Sequence, residues 1–303
     1  MALQCLSSDA GMSRVARLQH ADWRAVPSPT VRAGAAPSLE AGDVLFLSEL
    51  AFETEPGERA LFSPDILRKG IKNISFDPAS GQLGGTAARR RDAAKLGEMI
   101  ARFTALSHAL VGQLCPGYGA RVELGRASFR PAEIAGRESS WRKDDTRLHI
   151  DSFPASPVHG KRILRVFSNV NRDGRARSWR IGEEFECVAR RFAPALRMPL
   201  PGSGELLRLL RVTHTRRSAY DALMLQLHDR MKADMDYQVR SPQMAFDFPA
   251  GTTWIAFTDQ VSHAATAGQY QLEQTFLLPV DAMLDEHRSP LRVLERVTGT
   301  VLT

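Results

Sequence analysis

The sequence predicts an α+β fold: an antiparallel barrel or sandwich whose helices are confined to its beginning and to one insert. Three observations carry this. Up to about residue 115 the clearest apolar period is three to four, and a two-residue alternation replaces it afterwards. Five segments beyond that change read as strands closed by Pro, Gly, Asp or Asn. A helical stretch, 182–235, separates the third of them from the fourth.

Residues 1–40 run into the stretch "VPSPTVRAGAAPSLEAGD", rich in Pro, Ala, Gly and Ser, and are expected to be loosely structured. Residues 41–303 are expected to form one domain, long enough to bury a substantial core. "DVLFLSEL" is a short apolar strand. Ser63 and Pro64 suit the N-cap and first position of a helix over "SPDILRKGIKN", so helices are expected between about 63 and 115. After the basic run Arg89–Arg91, residues Leu96, Met99, Ile100, Phe103, Leu106 and Leu110 form one face of an amphipathic helix. It ends near Pro116 and Gly117 and should back a sheet, with His108 packed on it.

The five strands are "ARVELGRASFRPA", "TRLHIDSF", "KRILRVFSNVN", "AFDFPAGTTWIAFTD" and "YQLEQTFLLPV". In the insert, "GEEFECVARRFAPAL", "GSGELLRLLRV" and "SAYDALMLQLHDRMKADM" are helical, with Leu223, Met224, Leu227 and Met231 as core stripe. "DAMLDEHRSPLRVLERV" closes the chain as a helix over a sheet edge.

A hydrophobic share of 43% and a charged share of 24% are ordinary for a soluble globular protein. No run of about 18 apolar residues occurs, which excludes a membrane-spanning helix. The first 22 residues lack the apolar stretch of a secretory signal, so a cytoplasmic protein is expected. Cys5, Cys115 and Cys187 form no CxxC pair, which predicts reduced thiols and no structural zinc. The net charge of +6, with a pI near 9.5, comes mainly from arginine. It fits either a solvated arginine-rich surface or an anionic partner: nucleic acid, an anionic lipid surface or a phosphorylated substrate.

In "RLHIDSF", the strand period sends the side chains of His149 and Asp151 to one face and those of Leu148 and Ile150 to the other. An imidazole and a carboxylate then stand within reach of one ion. "FTDQVSHAATAG" supplies a third ligand, His263, just after a late apolar strand. Two His and one carboxylate on one face of an octahedron leave three positions open, which suits Fe(II) and O2 chemistry. Structural zinc prefers four closed positions and calcium prefers oxygen ligands. Against this, HxD is a three-letter pattern that also arises by chance, and a His on a barrel strand is often a core residue.

The segments "HIDSFPASPVHGKRILRVFSNVNRDGRARSWRIGEEFE" and "PAGTTWIAFTDQVSHAATAGQYQLEQTFLLP" resemble the double-stranded β-helix oxygenases, jelly-roll or cupin-like barrels that use Fe(II) and 2-oxoglutarate. More narrowly they resemble the Kdo hydroxylase family, over about Arg147 to Pro279. That resemblance implies iron held by His149, Asp151 and His263, with 2-oxoglutarate and O2 as cosubstrates and ascorbate as an optional reductant. It implies a 3-hydroxyl added to the Kdo sugar (3-deoxy-D-manno-oct-2-ulosonic acid) of Kdo-lipid A in lipopolysaccharide, giving a Ko-type sugar. No nucleic-acid partner is then expected, and a protein without a membrane span would meet its substrate peripherally at the inner-membrane face.

Many such oxygenases anchor the far carboxylate of 2-oxoglutarate with an Arg on the last strand. Here that place falls near Gln274, and no Arg follows until Arg288. "KRILRVFSN" offers replacements: Ile163, Arg165, Phe167 and Asn169 share one face, and Arg162 lies on the other. Arg165 is the expected carboxylate anchor, Asn169 and Gln274 its helpers, and Arg162 its rival. Arg130, Arg142, Lys143, Arg177 and Arg180 are expected in turns around the barrel mouth as a cationic rim. Trp141 and Trp179 either stack on a sugar or cap the core, and Asp259 and Gln260 are placed to support His263. Two other readings stay open: the same fold acting on nucleic acid or a protein side chain, and a metal-free barrel that binds an anionic sugar or lipid.

Overall fold

The computed structural model describes residues 14–303. The chain enters on β1 (Val15–Arg17) and α1 (Pro29–Ala41). Ser28 caps α1 by accepting from Val31 N, Pro29 fills its first position, and Gly42 ends it at φ 89°. The expectation of loose structure before residue 41 is therefore corrected for the described residues: Ala35, Ala36 and Leu39 bury this helix against the core. Residues 1–13 of that segment lie outside the described residues.

β2 (Val44–Leu47) forms where "DVLFLSEL" predicts it. The helix expected at Ser63 is corrected to a single 3-10 turn, Pro64–Ile66, which Ser63 does cap. Leu67 then bridges to Thr86 and Gly70 turns at φ 77°, so the backbone leads into a hairpin of β3 (Ile74–Asp77) and β4 (Gln82–Gly84). The amphipathic period yields α2 (Arg90–Leu114), followed by a short α3 (Pro116–Gly119) and β5 (Glu123–Arg130). Next come β6 (Arg162–Asn169), β7 (Arg177–Gly182) and the insert helices α4 (Phe185–Phe192), α5 (Ser203–Leu209), α6 (Ala219–Ala233) and α7 (Met235–Arg240). The chain closes through β8 (Gln243–Phe248), β9 (Thr252–Phe257), β10 (His263–Ala267), β11 (Gln271–Leu278) and α8 (Pro290–Thr298).

"AFDFPAGTTWIAFTD" is two strands, not one: Pro249 and Gly251, at φ 75°, turn the chain from one sheet to the other. The larger sheet runs β1-β2-β9-β6-β11-β5-β3-β4, antiparallel except at β1–β2. The smaller runs β10-β7-β8, and the HxD segment joins its edge through a single bridge, His149 to His263. "TRLHIDSF" is thus extended without being a full strand.

Strand alternation sorts the core into layers. On the larger sheet, Leu164, Val166, Ile255, Phe257, Leu272 and Phe276 pack under α2, against Met99, Ile100, Phe103 and Leu110. The opposite face carries Phe167, Trp254 and Ala256, which meet Trp179, Ile181 and Phe248 of the smaller sheet. Leu148 and Ile150 turn away from both, into a third cluster built by the insert helices and α8. The terminal helix accordingly covers the insert rather than a sheet edge. Cys115 is a free buried thiol, pushed up to about 12 by burial, whereas Cys187 is disulfide-bonded, against the expectation of reduced thiols.

Candidate active site

The face of β6 and β11 that is turned from α2 opens, at one end, into a cavity of about 380 Å³ between the two sheets. His149, Asp151 and His263 line it together, with one ligand atom from each within 4.8 Å of the others. The His149–His263 bridge sets their backbones opposite one another, and the two imidazole centroids lie 4.7 Å apart. Asp151 N donates to Thr258 O at 2.7 Å, which fixes the carboxylate beside the rings.

Each imidazole is oriented by a backbone carbonyl. Nδ1 of His149 donates to Arg147 O at 2.7 Å, and Nδ1 of His263 donates to Val261 O at 2.8 Å. Both tautomers therefore present an Nε2 lone pair to the cavity. Burial holds both imidazoles below the usual histidine range, so they are neutral. Burial alone would raise the Asp151 carboxyl, but the Arg165 guanidinium outweighs it and holds it well below the carboxylate range. Its Oδ2 is buried without a hydrogen bond; Arg165 Nη1 approaches to 3.3 Å at an angle that makes only an ion pair. Two imidazole lone pairs and an under-satisfied carboxylate around one point fit a divalent cation.

Trp179 stacks on His263 at 4.9 Å, and His228 of α6 meets His149 edge-on at 5.4 Å. Trp179 thus buttresses the His263 ring while lining the cavity, and Trp141 lies under Arg142 at 4.2 Å, half-buried.

Seven cationic side chains line the cavity against three carboxylates. Arg165 reaches in from β6 as its parity predicts, ion-paired to Asp151 and, at 3.0 Å, to Glu273. Arg130, at the end of β5, binds Glu273 at 3.0 Å. Arg177 comes from β7 rather than from a turn; it donates to Gly268 O at 2.7 Å and has no carboxylate partner among the described residues. Burial, with Arg130 alongside, pushes its guanidinium down to about 9, the mark of a charge in want of an anion. Arg142 is a mouth residue, largely exposed and paired with Asp229.

Four expectations are corrected. Gln274 points to α2, where its Oε1 accepts from Thr104 at 2.7 Å; Glu273, one residue earlier, faces the cavity. Asn169 shares the face of Arg165 but sits at the strand end, where it donates to Arg175 O and Phe248 O and accepts from Asn171 N. Arg162 is fully buried on the other face, bound to Asp259 at 2.8 Å and Gln260 at 2.6 Å and lying 3.9 Å over Phe257. Arg180 alternates away from Arg177 and donates to Thr146 O and Gln243, outside the cavity. Asp259 and Gln260 are tied to Arg162, so their support of His263 runs through the turn that carries it and not through a contact with its ring. Glu273, Lys72 and Lys232 are cavity residues that sequence reasoning missed. Counting parity back from Leu272, Phe276 and Leu278 would have found Glu273.

The family model for 3-deoxy-D-manno-oct-2-ulosonic acid (Kdo) hydroxylase matches residues 22–301. The chain belongs to the Kdo hydroxylase family. Among solved structures this hydroxylase chain is similar to the Kdo hydroxylase KdoO, described as a non-heme Fe(II) alpha-ketoglutarate-dependent dioxygenase, in complex with cobalt(II): 45% identity, 95% of this chain and 97% of that one covered, TM-score 0.93. It is equally similar to KdoO with alpha-ketoglutarate and Fe(III), at 45% identity over the same shares and a TM-score of 0.92. For KdoO with succinate and Fe(III) the identity is 44% and the TM-score 0.91, again over 95% and 97% of the chains. No curated protein sequence matches the chain.

Proposed function

We infer that this protein is an Fe(II)- and 2-oxoglutarate-dependent dioxygenase that hydroxylates the Kdo sugar of Kdo-lipid A at C3. The observation that carries the chemistry is the trio His149, Asp151 and His263, oriented by Arg147 O and Val261 O inside a cationic cavity. The sugar itself rests on family membership and on the 45% identity to KdoO. Four central strands of the larger sheet facing three and the HxD segment in the smaller support a double-stranded β-helix with the site at one open end.

In this reading His149, Asp151 and His263 hold the iron, which supplies oxygen activation coupled to decarboxylation of 2-oxoglutarate to succinate and CO2. The chain's own tasks are binding, orientation and charge. Arg177 and Arg165 face the cavity with buried Nε–H groups that lack partners, as does the Trp179 indole N–H. These donors suit a dicarboxylate. Arg177, free of any carboxylate, takes the far carboxylate of 2-oxoglutarate. Arg165 and Arg130 share Glu273 and set the charge around it. In place of an Arg on the last strand, this chain offers Glu273 there and draws its guanidinium groups from β5, β6 and β7. Lys72, Lys143 and Arg142 at the mouth receive the sugar carboxylate and the lipid A phosphates.

No helix of the described residues is long and apolar enough to cross a membrane. A cytoplasmic protein that meets the glycolipid at the inner-membrane face accords with that. The test is succinate formation with Fe(II) and 2-oxoglutarate, with and without Kdo-lipid A, in wild type and His149→Ala. Stimulation by the glycolipid that His149→Ala abolishes is the expected result. Turnover without stimulation would reject the sugar, and no metal uptake by the wild type would reject the enzyme.

A further inference from the structure

Residues 197–217 join α4 to α6 and contain α5. They leave Met198, Leu200, Leu206, Leu209, Leu210 and Val212 exposed, with Leu200 at 79% and Leu209 at 65%. Nearly half of the exposed large apolar side chains of the described residues therefore fall in one short segment, whereas scattered single ones need no explanation. Arginines are interleaved among them: Arg197, Arg208, Arg211 and Arg216 are exposed and Arg217 is half-exposed. The single acid of the segment, Glu205, is already ion-paired to Arg208.

The segment is also tied to the cavity. His214 N donates to Ala155 O at 2.9 Å, Arg217 Nη2 donates to Pro154 O, and the His159 ring meets Arg216 O at 2.7 Å. Ser152, Phe153 and Pro154, the residues following the ligand Asp151, line the cavity. The segment that carries the exposed leucines is thus hydrogen-bonded to the segment that forms the lip of the site.

We propose that residues 197–217 dock the protein on an anionic bilayer, the leucines entering the interface and the arginines binding lipid phosphates. This deepens the reading of a lipid-anchored substrate and rests on it. Leucine interleaved with arginine is the composition of an interfacial element. Anionic headgroups complement a segment whose one carboxylate is spent, and each arginine adds to the attraction. A second copy is disfavoured, because an isologous contact would set these arginines against themselves. Docking here brings the Ser152–Pro154 lip to the surface that presents the glycolipid headgroup.

The experiment is sedimentation of the full chain with phosphatidylcholine vesicles, with and without phosphatidylglycerol and free of glycolipid. Wild type is compared with a triple variant, Leu206→Asp, Leu209→Asp and Leu210→Asp, and with Arg208→Glu, Arg211→Glu. Cobalt(II) binding and the thermal midpoint, unchanged in both variants, establish that they are folded. Wild type is expected to sediment with the phosphatidylglycerol vesicles, less so at high salt, and each variant to lose about tenfold or more in partitioning. No sedimentation of wild type, or equal sedimentation of wild type and variants, would overturn the proposal. So would a concentration-dependent dimer that the triple variant abolishes, which would assign the patch to contact between copies. Because the vesicles hold no substrate, a failure of the hydroxylase reading would appear as absent turnover on detergent-dispersed Kdo-lipid A with the vesicle result intact.

Discussion

In the proposed metal centre the decisive atoms are two backbone carbonyls. Arg147 O and Val261 O each accept a hydrogen bond from Nδ1 of a histidine, so the chain itself orients both Nε2 atoms. The same economy of protons explains Glu273: burial would raise its carboxyl, but Arg130 and Arg165 outweigh that and keep it charged. Arg177 is the guanidinium left over. Arg177→Ala should therefore raise KM for 2-oxoglutarate about tenfold to a hundredfold, the worth of a lost charge-assisted pair, and leave cobalt(II) affinity near wild type. Succinate-formation kinetics at varied cosubstrate check this, and an unchanged KM would move the anchor to Arg165. Parity made His149, Asp151 and Arg165 legible in the sequence, since alternation alone puts them on the cavity side. Gln274 was selected by its distance along the chain from His263 and not by parity, which would have given Glu273. Asn169 has the right parity and the wrong depth, and depth along a strand is not encoded in alternation.

At the scale of elements, the turn between β9 and β10 carries His263, and a buried triad clamps it. Arg162 on β6 holds Asp259 and Gln260 beneath that turn, and Gln260 Nε2 reaches Glu40 O at the end of α1. Asp259→Asn is expected to cost about 3–5 kcal/mol in urea denaturation, because it strands a buried guanidinium. Arg162→Met with Asp259→Leu should recover much of that loss, and a single variant as stable as wild type would show the clamp to be dispensable. α2, β5, β6 and β11 were readable because their apolar periods are long and regular. β7 was not. "RSWRIG" is six residues with two arginines, and the apolar side of its alternation, Trp179 and Ile181, shares its face with the buried Arg177. A charge on the inner face reads as a turn until a cavity is known to lie there. α1 was hidden by composition: Pro29 and Gly42 mark its ends, but Gly34 and Pro37 lie inside it and read as a loop.

For the whole molecule, charge is gathered where the sheets open. Asp145 binds Lys72 at 2.7 Å and Arg137 at 2.9 Å and lies near Arg130, joining the β3 hairpin, β5 and the HxD segment. Burial would raise its carboxyl, but Arg130 and Lys72 outweigh burial and hold it far below its ordinary 3.8. A depressed folded pKa stabilises the fold above the unfolded value and loses that contribution as pH falls below it. Asp145→Asn should thus be less stable than wild type by about 1–3 kcal/mol near neutral pH, with the gap closing in acid below the ordinary carboxylate value. Urea midpoints across pH measure it; a gap that widens in acid would contradict the pairing. The pI of 9.5 fitted a solvated arginine surface as well as an anionic partner and located neither. Location needed the fold, which draws Arg130, Arg165 and Arg177 from three separate strands into one cavity.

In the proposed reaction the His149, Asp151 and His263 site divides dioxygen between 2-oxoglutarate and the Kdo sugar. The most direct measurement supplies isotopically labelled O2 and follows the label by mass spectrometry in both products. One labelled atom is expected in succinate and one, less any exchange with solvent, in a hydroxyl at C3 of Kdo, both lost in His149→Ala. Labelled succinate beside an unmodified Kdo-lipid A would contradict it.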